Sequence, residues 1–205
     1  IISYKYTMFY IILVVFLVLI FWGVGIYNSL IRLRHAVEEA WSNITVLLKR
    51  RYDLIPNLVE TVKGYASHEK TTLENVTAAR TASMNASSPA AIAKAEEHLT
   101  LALKSLFAVS ENYPDLKANQ NFLSLQVELA ETENKIQGAR TEYNKDVMKY
   151  NVAVESFPGN IIAGQYGFLK KEYFELTEEH QKEVINLTSN SYAFVYLKQK
   201  FQKTH

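Results

Sequence analysis

Five histidines and 21 Asp and Glu side chains are the groups of this 205-residue chain best suited to acid–base or metal chemistry, and their spacing argues against both. A metal site inside a helical bundle is built from Glu-x-x-His pairs that project from one face. The residues three positions before the histidines are Arg32, Tyr65, Ala95, Thr177 and Gln202, so no such pair exists. Glu96-Glu97-His98 and Glu178-Glu179-His180 resemble ligand clusters. Successive helical residues diverge by about 100°, however, and cannot all face one ion, so both read as solvated charge. The absence of Cys removes disulfides, thiolate metal sites and a cysteine nucleophile together. Gly-x-Ser-x-Gly, the phosphate-loop pattern and a dinucleotide fingerprint are also missing. The expectation is no catalytic residue, no cofactor, no metal and no small-molecule substrate. With 22 Lys and Arg against those acids the net charge is +1, too little basic excess for a dedicated nucleic-acid binder.

What remains is polar chemistry suited to holding partners. Arg50, Arg51 and Asp53 stand out on an apolar stripe. They read either as contacts for an acidic partner or a lipid headgroup, or as a bridge or carbonyl cap at a helix end, where cations complement the dipole. Glu128, Glu133, Asn134 and Arg140 form a second set, read as a network setting register between helices or subunits. Asn144 and Asn151 each follow a Tyr, seven residues apart, and are candidates for hydrogen bonds across an oligomer interface.

The elements that carry these groups read as helices, because seven Gly and four Pro supply too little turn chemistry for a many-stranded fold. A short N-terminal segment, 1–7, precedes a transmembrane helix over 8–27. That stretch, MFYIILVVFLVLIFWGVGIY, matches the roughly 30 Å hydrocarbon core at about 1.5 Å per residue. It is too long, and too bulky at Trp22, Tyr27 and Leu30, for a cleaved signal peptide. Arg32, Arg34, Lys49, Arg50 and Arg51 follow it while Lys5 alone precedes it, which predicts the N-terminus outside and the bulk of the chain in the cytoplasm. Met8 is a candidate natural start, which would leave almost nothing outside. Trp22 and Tyr27 fit an interfacial aromatic belt, and Gly23 with Gly25 suits close helix packing. The sequons at Asn43, Asn75, Asn85 and Asn186 read as chance occurrences.

Over 28–157, apolar residues recur at spacings of three and four and predict an antiparallel up-and-down four-helix bundle. Pro56 lacks an N–H and crowds the carbonyl of Tyr52. Two helices, 28–51 and 55–84 with Asp53 as a cap, are therefore favoured over one bent helix. Ser88-Pro89 opens a third helix ending near Asn112. The fourth, 118–156, carries Phe122, Leu129, Ile136, Tyr143 and Tyr150 on a coiled-coil-like seven-residue repeat that Thr132 and Asp146 weaken. Gly138 inside it implies a close helix approach.

Residues 158–175 form an apolar bundle-end segment. If four helices alternate, Ile161, Ile162, Tyr166, Phe168 and Leu169, with Lys170 and Lys171, return to the membrane surface and resemble an interfacial insertion with basic anchors. Covering the open end of the bundle is the equally weighted alternative. A single bent rod in place of the first two helices would leave the fourth helix ending far from the bilayer. The tail, 176–205, reads as a short helix or as partly disordered.

The stretches YNSLIRLRHAVEEAW from Tyr27, LKRRYDLIPNLVETVKGYASHE from Leu48, YPDLKANQNFLSLQVELAETENKIQGAR from Tyr113, YNKDVMKYN from Tyr143 and FPGNIIAGQYGF from Phe157 resemble the LemA family of bacterial membrane proteins. The resemblance covers about 27–175. It departs at Gln137-Gly138, where larger apolar residues are expected, and no family pattern is recognised after about Glu175. It implies an N-terminal span, a cytoplasmic four-helix bundle and no established enzymatic activity. A magnetosome relative in the family acts in building an internal membrane. The expectation is a non-enzymatic single-pass protein of the bacterial inner membrane, self-associating into a scaffold that organises or remodels the bilayer. A membrane-anchored adaptor docking a protein partner, with Arg50 and Arg51 as its contacts, is the competing expectation.

Overall fold

The computed structural model describes residues 2–174, with side chains from residue 8 onward. One helix, α1 (Ile2–Tyr65), carries both the apolar stretch and a third of the core. Its 64 residues correspond to a rod of about 96 Å. After the turn at 66–69 come α2 (Lys70–Asn85) and α3 (Pro89–Ser110), then the single turn α4 (Pro114–Lys117), the long α5 (Gln120–Glu155) and the short α6 (Gly159–Tyr166). No strand occurs among the described residues. The tail 176–205, with Glu178-Glu179-His180, lies outside them.

Two start signals act as their chemistry requires. Ser88 accepts from the Ala91 N–H at 3.2 Å ahead of Pro89, and Asn119 accepts from the Phe122 N–H at 3.0 Å at the head of α5. Pro56 behaves differently from expectation: α1 runs straight through it, so the division into 28–51 and 55–84 is wrong and Asp53 is an exposed mid-helix residue rather than a cap. The reason is chemical. Proline leaves the carbonyl four residues back without a donor, and that carbonyl, on Tyr52, instead accepts from Arg80 Nε of α2 at 2.8 Å. The break falls ten residues later, at 66–69.

α1 and α5 pack along their length with rungs in reverse order. Tyr65 meets Asn119 at 2.9 Å, Arg51 meets Glu133 at 2.6 Å, and the rings of Trp41 and Tyr143 are 5.3 Å apart. Each step forward on α1 is one step back on α5, and the stripe Phe122, Leu129, Ile136, Tyr143 and Tyr150 is buried along this seam. α2 and α3 form a second packed pair. α3 reaches α5 through large side chains such as Phe107 against Phe122, with ring centroids 6.0 Å apart. Gly138 faces open space, so no close helix approach occurs there.

Because α1 extends to Tyr65, a single rod does not strand α5 far from the start. α5, at 36 residues or about 54 Å, nearly spans the length of α1 beyond Tyr27. α6 then packs on both long helices. Gly159 is required at its first turn, since a Cβ there would lie 2.1 Å from the Ala153 carbonyl oxygen. Gly167 ends it at φ 70°, a left-handed residue that aims the Phe168 N–H at the Ala163 carbonyl, 3.0 Å away.

Candidate functional site

Three polar or aromatic assemblies hold these helices, and the first lies deep inside. Arg51 is 2% exposed and Glu96 0% exposed. Arg51 Nη1 lies 2.9 Å from Glu96 Oε2 and 2.6 Å from Glu133 Oε2, and Nη2 donates to Thr100 Oγ1 at 2.8 Å. The Tyr52 hydroxyl donates to Glu96 Oε1 at 2.7 Å. Burial, and then the negative charge of Glu96, push the Tyr52 phenol well above its ordinary value. With Arg80 on the Tyr52 carbonyl, the network touches α1, α2, α3 and α5 at one level. Glu96 is therefore no solvated charge, which corrects that expectation for this residue, while Glu97 and His98 are exposed as expected. Arg51 is turned inward to its own chain, neither a cap nor a free docking residue. Arg50 remains outside and pairs with Glu128 at 3.6 Å across half-exposed side chains. Asn134 is exposed.

The second assembly is a strap over 168–174, extended along the α1–α5 seam. Asn151 holds both backbone groups of Lys171, each at 2.9 Å, and Asn144 holds both of Phe174, at 2.8 and 2.9 Å. Tyr143 donates to the Glu172 carbonyl at 2.8 Å. Seven helical residues rise about 10.5 Å and three extended residues about 10 Å. An Asn every seventh position on α5 can thus read every third residue of an extended chain. Asn144 and Asn151 bind this segment of their own chain, and the expected bonds to another copy are replaced by these. Two of the strap's aromatic rings are covered by cations: Arg140 lies 4.7 Å over Phe174 and Arg34 5.5 Å over Phe168.

The third assembly is the elbow formed by residues 156–169. Tyr27 of α1 stacks edge-on with Tyr166 at 5.0 Å and with Phe168 at 5.6 Å. That contact brings the segment to the end of the apolar stretch of α1, whose side chains from Met8 to Trp22 are exposed on every side. Phe168 is buried beneath Arg34 and Ile162 is half-buried, so these two do not point outward as a surface insertion would require, while the backbone of half-exposed Lys171 is held by Asn151. Lys170 pairs with Glu155. Ile161, Tyr166 and Leu169 are exposed, together with Phe157.

Among the described residues no three His, Asp or Glu side chains converge as metal ligands. The arrangement is one of connection: a rod with an apolar end, a body locked by a buried ion network, and a strap and elbow closing the near end. The LemA family model matches residues 40–188, most of the chain. The chain belongs to the LemA family. That match runs past Glu175, so the family pattern extends further into the tail than the motifs alone indicate. At Gln137-Gly138 both residues are exposed, and Gln137 donates to Glu133, so larger apolar residues have nothing to fill there. Curated relatives include the magnetosome protein MamQ 2 of Paramagnetospirillum magneticum, 26% identical over 175 residues, covering 73% of this chain and 64% of the relative. Protein LemA of Metamycoplasma hominis is 27% identical over 165 residues, covering 78% of this chain and 74% of the relative. The chain thus spans less than two thirds of the length of the MamQ proteins it matches. With the exposed apolar helix, these relatives point to a membrane location.

The network's missed members share one reason. Glu96 stands at i+4 from Ile92 and three before Leu99, which places it on the buried stripe of α3. A carboxylate at a core position, with Arg51 and Tyr52 at core positions of α1, was the available signal.

Proposed function

We propose that this chain is a non-enzymatic, single-pass scaffold of the bacterial inner membrane, self-associating so as to organise or remodel the bilayer. Its body is read as an antiparallel up-and-down four-helix bundle in the cytoplasm, with the N-terminus outside, following the excess of Arg and Lys just after the apolar stretch. The observation that carries the reading is the continuity of α1: the helix that leaves the apolar stretch is the helix that builds the core, with no intervening linker. A body joined in this way is held at a set attitude to the bilayer, and copies packed side by side transmit that attitude to the lipid. A relative named as a magnetosome protein fits the same role. Bilayer and further copies of the chain are the partners in this reading; nucleic acid and small-molecule substrates are not. Size-exclusion chromatography with light scattering in a mild detergent tests it. A defined multiple of the 23.5 kDa protomer is expected, and a strict monomer at cellular concentration defeats the scaffold.

The adaptor reading keeps one specific feature. At the end farthest from the apolar stretch, a groove of about 830 Å³ opens between α1 and α2, lined by Val59, Lys63, Leu73 and Thr77. Of Arg50 and Arg51, only Arg50 is at the surface. An adaptor predicts a small oligomer and recovery of a specific partner by crosslinking, lost on Arg50→Glu.

A further inference from the structure

The near end of the body carries apolar surface that the protein itself leaves uncovered. Phe157 is 75% exposed, Ile161 61%, Tyr166 63% and Leu169 78%. These four side chains come from one short stretch of chain, and its level relative to the apolar part of α1 is fixed by contact. Tyr166 lies 5.0 Å from Tyr27, ring to ring. The register between α1 and α5 agrees: Arg51 stands opposite Glu133 and Trp41 opposite Tyr143, so its continuation brings Glu155, where α5 ends, to the level of Ser29, within one turn of Tyr27. Val24, less than one turn before Tyr27, is itself exposed and belongs to the stretch that lipid must cover if α1 crosses the bilayer. The Tyr27–Tyr166 contact and the end of α5 therefore both place the start of the elbow beside the last turn of the apolar stretch, where hydrocarbon would give way to headgroups.

From this geometry we infer that the elbow over 157–169 is a second lipid contact, in which Phe157, Ile161, Tyr166 and Leu169 enter the headgroup–acyl boundary beside α1. The inference rests on the reading of α1 as a span. The remainder of the elbow is built to hold that surface in place. Gly159 lets α6 lie directly against the Ala153 carbonyl, Gly167 turns the chain back, and Phe168 plugs into the body under Arg34. Arg32, exposed at the same end, has a stem long enough to carry its charge to the headgroups while its neighbours enter the acyl edge, and Lys170 is paired with Glu155. Shallow insertion of this kind occupies area in one leaflet only, because the elbow stands on one side of the bilayer.

The chain has no cysteine, which makes labelling direct. Single substitutions Ile161→Cys and Leu169→Cys are labelled with an environment-sensitive fluorophore, and the full chain is reconstituted in vesicles of mixed zwitterionic and anionic phospholipid. Phe16→Cys marks the apolar stretch and Val46→Cys marks exposed body surface about 28 Å beyond Tyr27. Nitroxides attached near the headgroup of the lipid are expected to quench positions 161 and 169 at least about threefold more strongly than position 46, as a shallow insertion requires. Iodide in the aqueous phase should quench them less than position 46. Equal iodide access at 161, 169 and 46 without lipid quenching overturns the inference. Protection of 161 and 169 from both quenchers overturns it too, because another copy of the protein then covers the elbow. Failure of deep lipid nitroxides to quench position 16 removes the span itself and is read separately from the elbow positions.

Discussion

Removing Glu96 tests whether the buried network carries the stability that its geometry implies. In Glu96→Ala the Tyr52 hydroxyl loses its acceptor at 2.7 Å, and Arg51 loses one of two carboxylates while keeping Glu133 at 2.6 Å and Thr100 at 2.8 Å. An orphaned buried hydroxyl costs about 1–3 kcal/mol, and breaking a buried ion pair about 3–5 kcal/mol when the partner is left uncompensated. Since Glu133 continues to compensate Arg51, the expected loss is about 3 kcal/mol, near the lower end of the ion-pair range. Glu133→Ala should cost less, about 1–2 kcal/mol, because Glu133 is partly exposed and Glu96 stays in place. Arg51→Met should cost the most, since it strands Glu96, whose only other partner is a phenol. The double variant Arg51→Met/Glu96→Leu should recover much of the loss, as apolar replacement of a buried pair commonly does. The assay is denaturant unfolding in detergent, followed by Trp41, which packs on Tyr143 and Phe174. Trp22→Phe removes the only other tryptophan. A Glu96→Ala loss under 1 kcal/mol, or a double variant as unstable as the two single losses added, would refute a coupled buried network.

Other perturbations follow from the same contacts. Arg80→Met should destabilise the body by about 1–2 kcal/mol by orphaning the Tyr52 carbonyl, and adding Pro56→Ala, which restores the missing N–H, should recover most of it in the same unfolding assay. Asn144→Ala and Asn151→Ala each remove two bonds to the strap, so trypsin should cleave after Lys170 or Lys171 faster than in the parent at unchanged global stability. Tyr52 holds its proton more tightly when folded than when unfolded. Its contribution is therefore complete below the ordinary phenol value near pH 10 and is lost as pH rises beyond it; Tyr52→Phe should flatten that alkaline fall in stability. Gly159→Val should undock α6, seen as faster amide exchange over 159–168 with the rest of the body unchanged.

The helical class, the apolar stretch, the Ser88 start and the seven-residue stripe of α5 are legible because each depends on residues near in sequence, whereas the Asn119 cap at the head of α5 is seen only in the structure. Pro56 was misread because the group that rescues its helix, Arg80, lies 28 residues away. Glu96 was misread because charge was weighed by composition, whereas its position on the stripe of α3 was the informative fact. The Tyr-Asn repeat is visible in the sequence, but its partner is not. Nothing local says that an extended strap from the same chain will return to meet it at three residues per seven. Phe168 departs from the expected outward position for a similar reason: which apolar residue at a bend faces inward is decided by the left-handed turn at Gly167 and by the tight seat of Gly159.

The scaffold reading is tested most directly by imaging the purified protein in reconstituted vesicles by electron cryomicroscopy. Self-associating rods rooted in the bilayer predict rings, clusters or curved patches that coincide with protein density and grow with the protein-to-lipid ratio. Evenly scattered single particles on smooth vesicles, at every ratio, would contradict it.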